Sequence, residues 1–170
     1  MYEIAQKVPS GGRIVELGSL YGKSTNVWAR GAGPDTEVYC FDPWHRAQWI
    51  IDVVEGPLGA PEFGLEAFKH FTRDLPNVIP VQGYSPQSAE GWDKPIDLFF
   101  EDAVHENPIF TQNCDFWLEH LKPGGYFCGH DFRFKDNYFD IIHYVVETAA
   151  RWDVPYHVAD SFFWLQKPHG

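Results

Sequence analysis

Four acid-bearing positions recur where apolar runs end. Glu16 lies in Ile14-Val15-Glu16-Leu17, Asp42 closes Val38-Tyr39-Cys40-Phe41, Asp102 follows Ile96–Glu101, and His130-Asp131 follow Tyr126-Phe127-Cys128-Gly129. A fifth run, Val78–Val81, leads into Gly83-Tyr84-Ser85. Ligands of layered α/β proteins sit beyond the carboxyl ends of parallel strands, so these groups are candidates for one shared crevice. Gly18 and Gly22 bracket a tight turn after Glu16, and Ser24-Thr25 then open a helical pattern. Such a turn lets a ligand approach backbone and offers it the free N–H groups of a helix start. The spacing is neither G-x-G-x-x-G nor a phosphate loop, because Gly18 stands only four residues before Gly22. A carboxylate at position 16 repels phosphate and suits an ammonium. Asp42 is placed to accept hydrogen bonds from ribose hydroxyls, and Ser85 to meet a base edge. A nucleoside carrying an amino acid satisfies all three.

Composition narrows the class. At 170 residues, 44% apolar and 22% charged, the chain reads as one soluble globular domain spanning residues 1–170. A net charge of −11 disfavours nucleic acid and anionic membranes, which need a positive footprint. No run is long and apolar enough to span a bilayer, and Met1-Tyr2-Glu3-Ile4 does not open a signal peptide, so a cytoplasmic protein is expected. Cys40, Cys114 and Cys128 are odd in number and form no C-x-x-C, as expected of reduced, buried thiols. Aromatics reach 17%, enough for a rich core and for a pocket taking a flat or apolar ligand.

The elements that must hold these groups alternate. A short helical face over 1–9 precedes strands at 13–17, 37–41, 78–81, 96–100 and 126–129. Helices are expected at about 22–31, with Gly31 as a stop, at 65–74, at 107–121 and at 140–151, with a short one opening at Ser85. Residues 43–63 read as a long irregular connection, and Lys122-Pro123-Gly124-Gly125 as a turn. Runs 154–159 and 162–166, joined by Asp160-Ser161, read as an antiparallel hairpin. Alternating β and α gives a doubly wound, mostly parallel α/β sheet of seven strands with an antiparallel C-terminal hairpin.

The ordered motifs resemble class I S-adenosylmethionine-dependent methyltransferases. The resemblance is carried by Glu16-Leu17-Gly18-Ser19-x-x-Gly22-x-Ser24, Phe41-Asp42-Pro43-Trp44 and Gly83-x-Ser85. Ile96-Asp97-Leu98-Phe99-Phe100-Glu101-Asp102-Ala103-Val104-His105 and Leu121-Lys122-Pro123-Gly124-Gly125, followed by His130-Asp131-Phe132, are similar to the pattern of a small single-domain subgroup, methyltransferase-24-like. The resemblance implies a Rossmann-like sheet in the order 3-2-1-4-5-7-6. It also implies a cofactor site of Glu16, Gly18, Ser19, Gly22, Ser24, Asp42, Trp44, Gly83, Ser85 and Asp102. There the methionine part lies on Glu16, Gly18 and Ser19, the ribose on Asp42 and the adenine near Ser85. Relatives that bind a divalent ion suggest Asp102, His130 and Asp131 as ligands, for Mg²⁺ or another divalent cation. The usual Asp-Gly-Asp-His reads Asp102-Ala103-Val104-His105 here, which removes one carboxylate and a glycine.

His105 is the candidate general base, since an imidazole titrates near neutrality, and Asp102 its catalytic neighbour. The expected reaction is O-methylation of a small molecule such as a sugar, natural product or phenol. A nicotinamide-dependent oxidoreductase and a non-catalytic cofactor-binding protein are the alternatives. Segments 43–63 and 132–139 are expected to shape the acceptor pocket. The aromatics Trp152, Tyr156, Phe162, Phe163 and Trp164 exceed what an edge hairpin needs, which suggests a homodimer contact.

Overall fold

The computed structural model describes residues 1–54, 62–133 and 139–170. Its strands are β1 (Arg13–Leu17), β2 (Glu37–Asp42), β3 (Val78–Gln82), β4 (Ile96–Glu101), β5 (Leu121–Gly129), β6 (Tyr156–Ala159) and β7 (Phe162–Gln166). Its helices are α1 (Tyr2–Ala5), α2 (Lys23–Ala32), α3 (Gln48–Val54), α4 (Leu65–Thr72), α5 (Ile109–His120) and α6 (Phe139–Trp152), with a 3₁₀ turn at Gln87–Ala89. The seven strands form one sheet in the order β3-β2-β1-β4-β5-β7-β6. β1 to β5 run parallel, and β7 is antiparallel to both β5 and β6. The sheet order, the parallel core and the hairpin through Asp160-Ser161 are those expected from the sequence.

The apolar strands are covered on both faces, which is why they read as runs rather than alternations. On one face Val15, Leu17, Phe99 and Phe127 pack with Phe110, Trp117, Ile141 and Val145 of α5 and α6. On the other, Ile14, Val38, Leu98 and Phe100 pack with Ala5, Trp28 and Phe68 of α1, α2 and α4. Trp28, Phe68, Phe99, Trp117 and Phe163 are fully buried. Each such side chain removed from water contributes about 1.5–3 kcal/mol or more, so these two layers fix the sheet.

Three expectations change. Helix α2 runs through Gly31 and stops at Gly33, because Gly31 lies against Ala5 and lets α1 pack closely. The connection 43–63 contains helix α3, while residues 55–61 lie outside the described residues. The segment 122–125 is not a separate turn before β5 but an insertion within it. Ile96 pairs with Leu121 and Leu98 with Tyr126, so four residues bulge out opposite Asp97. The bulge is pinned by Lys122 Nζ, 2.8 Å from Asp97 Oδ1, while Arg13 N donates to Asp97 Oδ2 at 2.8 Å. The hairpin aromatics are largely core residues: Phe162 and Phe163 are buried, whereas Tyr156 is exposed.

Candidate active site

The exits of β1, β2, β4 and β5 are adjacent in the sheet, so the four acidic ends meet at one edge. Glu16 projects toward the first turn of α2, where Thr25 Oγ1 donates to its Oε2. It is fully buried, and among the described residues no donor reaches its Oε1, nor any partner Ser19 Oγ, in good hydrogen-bond geometry, although the hydroxyls of Ser19 and Ser24 lie near the carboxylate. Burial raises the Glu16 pKa, with the hydroxyls of Ser24 and Thr25 acting against the rise. A buried carboxylate oxygen without a donor costs free energy unless a ligand supplies one. An ammonium beside Glu16 and Ser19 is such a donor, so these residues fit the amino-acid part of a sulfonium cofactor.

Gly18 and Gly22 have positive φ, +81° and +84°, and each also makes room for the chain itself. A Cβ at Gly18 would stand 2.7 Å from the Asp102 carbonyl carbon. One at Gly22 would stand 2.7 Å from Thr72 Cγ2 on α4. The turn therefore presses directly on the exit of β4. Ser24 is half-buried one residue into α2.

Asp42 is buried and already holds the crevice wall together. Its Oδ2 accepts from Leu20 N at 3.0 Å and its Oδ1 from Trp44 N at 2.7 Å. Trp44 Nε1 closes the ring by donating to Leu20 O at 2.9 Å. Leu20 and Trp44 both adopt left-handed backbone, φ +45° and +43°, which is strained for non-glycine residues. Burial raises the Asp42 pKa against those backbone donors. A carboxylate offers about four acceptor sites, so ribose hydroxyls can still be received. The Trp44 ring is a core ring packed on Phe68, which makes its part in the crevice the positioning of Leu20. Gly83 sits against Ser88, and Ser85 Oγ accepts from Trp117 Nε1 at 2.9 Å.

At the exits of β4 and β5 two acid–histidine pairs cross. His105 Nε2 lies 3.0 Å from Asp131 Oδ2, and His130 Nδ1 lies 3.3 Å from Asp102 Oδ2. Asp131 is the third non-glycine residue of the crevice with positive φ, +59°. Burial raises the Asp102 pKa, opposed by the His130 contact; that same contact raises the His130 pKa. One ligand atom from each of Asp102, His105 and Asp131 falls within 4.8 Å of the others. Two oxygens and an imidazole nitrogen form a donor set suited to a divalent cation. The gathered group thus contains His105, whereas His130 stands beside Asp102 between the rings of Phe100 and Phe162.

One residue of the site was not singled out from the sequence. Glu101 is 1% exposed on the α5 face of the sheet, above Phe99. Its Oε1 accepts from the backbone N–H groups of Ala103 and Val104, and burial pushes its pKa up to about 8. The signal was present, since a glutamate occupies a position where the strand pattern calls for an apolar residue. Cys40, also unassigned, lies buried beside Thr25.

The sequence matches a family described as a methyltransferase domain over residues 15–132. The chain belongs to this methyltransferase-domain family. The resemblance to class I S-adenosylmethionine-dependent methyltransferases is thereby borne out, and the chain is a methyltransferase of that class. No curated protein sequence matches it. Its fold is similar to an rRNA methylase from Streptococcus thermophilus, with TM-score 0.67 and 14% identity, over 97% of this methyltransferase and 92% of that chain. It is similar to the O-methyltransferase TomG from Streptomyces achromogenes, solved with S-adenosylmethionine, with TM-score 0.64 and 16% identity over 93% and 73% of the two chains. It is also similar to Aeropyrum pernix fibrillarin with bound S-adenosylmethionine, with TM-score 0.59 and 16% identity over 98% and 69%. At such identities these likenesses speak for the fold. Among the described residues of the methyltransferase, no helix is long and apolar enough to cross a membrane.

Proposed function

We propose that this methyltransferase is a single-domain, cytoplasmic enzyme that methylates a hydroxyl of a small molecule, with His105 as the proton acceptor. The observation that carries the reading is the His105–Asp131 pair, 3.0 Å apart, at the exits of β4 and β5. S-Adenosylmethionine bound in the crevice supplies an electrophilic methyl group on a sulfonium. Glu16 and Ser19 would hold its ammonium, Asp42 would receive the ribose hydroxyls, and the Gly83–Ser85 exit would border the adenine. As the acceptor oxygen took up that methyl group and the sulfonium left as a neutral thioether, His105 would receive the acceptor proton. Orientation supplies most of the acceleration, and the base adds to it.

The small-molecule acceptor is supported by charge. A chain of net charge −11, with Asp102 and Asp131 at the crevice mouth, repels a polyphosphate backbone. A second reading is favoured by the clustering of Asp102, His105 and Asp131: these residues would hold a divalent cation. Such an ion would lower the pKa of the acceptor hydroxyl and orient it. A methyl-transfer screen with labelled S-adenosylmethionine tests both readings, with sugars, phenols, natural-product alcohols and an rRNA fragment as acceptors. Transfer to small hydroxyl compounds that survives chelation supports the base reading. Loss on chelation, restored by one cation, supports the metal reading. Transfer to the rRNA fragment alone overturns the small-molecule acceptor. A homodimer would involve the exposed edge strand β6, and light scattering decides it.

A further inference from the structure

Glu101 occupies a costly position. β4 sends Phe99 and Glu101 to the face covered by α5, and every residue of that strand is buried. Its register partners are Leu17 on β1 and Gly129 on β5, so it stands at the centre of the sheet's upper edge. An apolar side chain there would extend the column built from Phe99 and avoid taking a carboxyl out of water. What the carboxyl does is local and specific. Its Oε1 accepts two backbone N–H groups in series, Ala103 N at 3.2 Å and Val104 N at 3.1 Å. Those are the two residues between Asp102 and His105, the segment where a glycine and an acid of the family pattern are missing. On its other side the segment is held by Asp102 N donating to Leu17 O at 3.1 Å and by the close approach of Gly18.

We propose that Glu101 is a positioning residue. It fixes the turn Asp102–His105 from below, so that Asp102 and His105 converge on Asp131, in place of the flexible turn the family pattern provides. The proposal rests on the assignment of His105 to the acceptor side of a methyltransferase. The requirement is for an acceptor oxygen at position 101, and a glutamine side chain supplies one, whereas leucine does not.

The test compares Glu101→Gln and Glu101→Leu with the unaltered chain by amide hydrogen exchange, S-adenosylhomocysteine calorimetry and steady-state kinetics with an acceptor found by the screen. In Glu101→Leu the Ala103 and Val104 amides are expected to exchange about tenfold faster or more, while β4 amides stay protected. Its kcat is expected to fall about tenfold or more, with S-adenosylhomocysteine affinity within about threefold. Glu101→Gln is expected to retain both the protection and, within about threefold, the kcat. Unchanged exchange in Glu101→Leu overturns the proposal, as does a Glu101→Gln variant as impaired as Glu101→Leu. Failure of the unaltered chain to bind S-adenosylhomocysteine would strike the cofactor assignment instead, because the exchange result does not depend on it.

Discussion

His105 Nε2 lies 3.0 Å from Asp131 Oδ2, joining the turn after β4 to the turn after β5. The pair sets an imidazole, the side chain type best suited to accepting a proton, against a carboxylate that can orient it. If the pair is the base, His105→Gln lowers kcat by about 10²–10⁴-fold and leaves S-adenosylhomocysteine binding intact. Asp131→Asn has a smaller effect on kcat. Calorimetry and initial rates on the same samples check this. A parallel loss of cofactor affinity in His105→Gln would place the residue on the donor side of the crevice.

Glu16 predicts a separable defect. Glu16→Gln preserves the shape of the site and removes the charge proposed to face the cofactor's ammonium. A hydrogen bond to a charged group contributes about 1.5–3 kcal/mol, so affinity for S-adenosylhomocysteine should fall about tenfold to a hundredfold. Thermal stability should hold or rise, because a buried charge without a full set of donors has been neutralised. Calorimetry and a melting curve read the two effects independently. Unchanged affinity would remove Glu16 from the ligand.

The metal question has a direct experiment. If Asp102, His105 and Asp131 hold a divalent ion, Mg²⁺ or Mn²⁺ raises the melting temperature in a saturable way, and Asp102→Asn abolishes that rise. A chain without a resident ion shows neither effect and keeps its activity in chelator. The measurement needs no acceptor.

The sheet was legible because its strands are buried on both faces, and fully covered apolar runs bounded by Gly, Pro and acids announce themselves. Glu16, Asp42, Asp102 and Asp131 could be placed because a parallel sheet delivers every strand exit to one edge. Other features depend on partners remote in sequence. Gly31 resembles a helix stop until Ala5 is seen packed against it. The 122–125 bulge resembles a turn until Asp97 is seen holding Lys122. Asp42 reads as a free acceptor, yet Leu20 and Trp44 already use it. Among the described residues His105 comes within reach of both Asp102 and Asp131 while His130 lies beside Asp102, and side-chain direction at a loop sets that, not spacing.

Gly18 carries a stability prediction. Alanine there meets both a left-handed backbone and the Asp102 carbonyl group, which cannot move without disturbing the β4 exit. Gly18→Ala is expected to cost about 1–3 kcal/mol and to weaken the cofactor site as well. Denaturant unfolding checks the first effect. A neutral result would mean that the first turn and the β4 exit are not in contact.

Glu101 sets a pH dependence of stability. Burial holds its carboxyl protonated in the folded chain up to about pH 8, whereas the unfolded value is near 4.5. Between those values unfolding releases a proton. The stabilisation linked to this group is therefore complete below about pH 4.5 and is lost as pH rises through about 8. Glu101→Gln has no proton to release, so its stability should not share this decline. The gap between the two chains should widen in favour of the variant from about pH 5 and level off above about pH 8, at a few kcal/mol. Urea midpoints of both chains at pH 5, 7 and 9, with equal slopes, measure the gap. Parallel curves would mean that Glu101 titrates as an ordinary carboxylate, so that water reaches the space beneath the Ala103–Val104 turn.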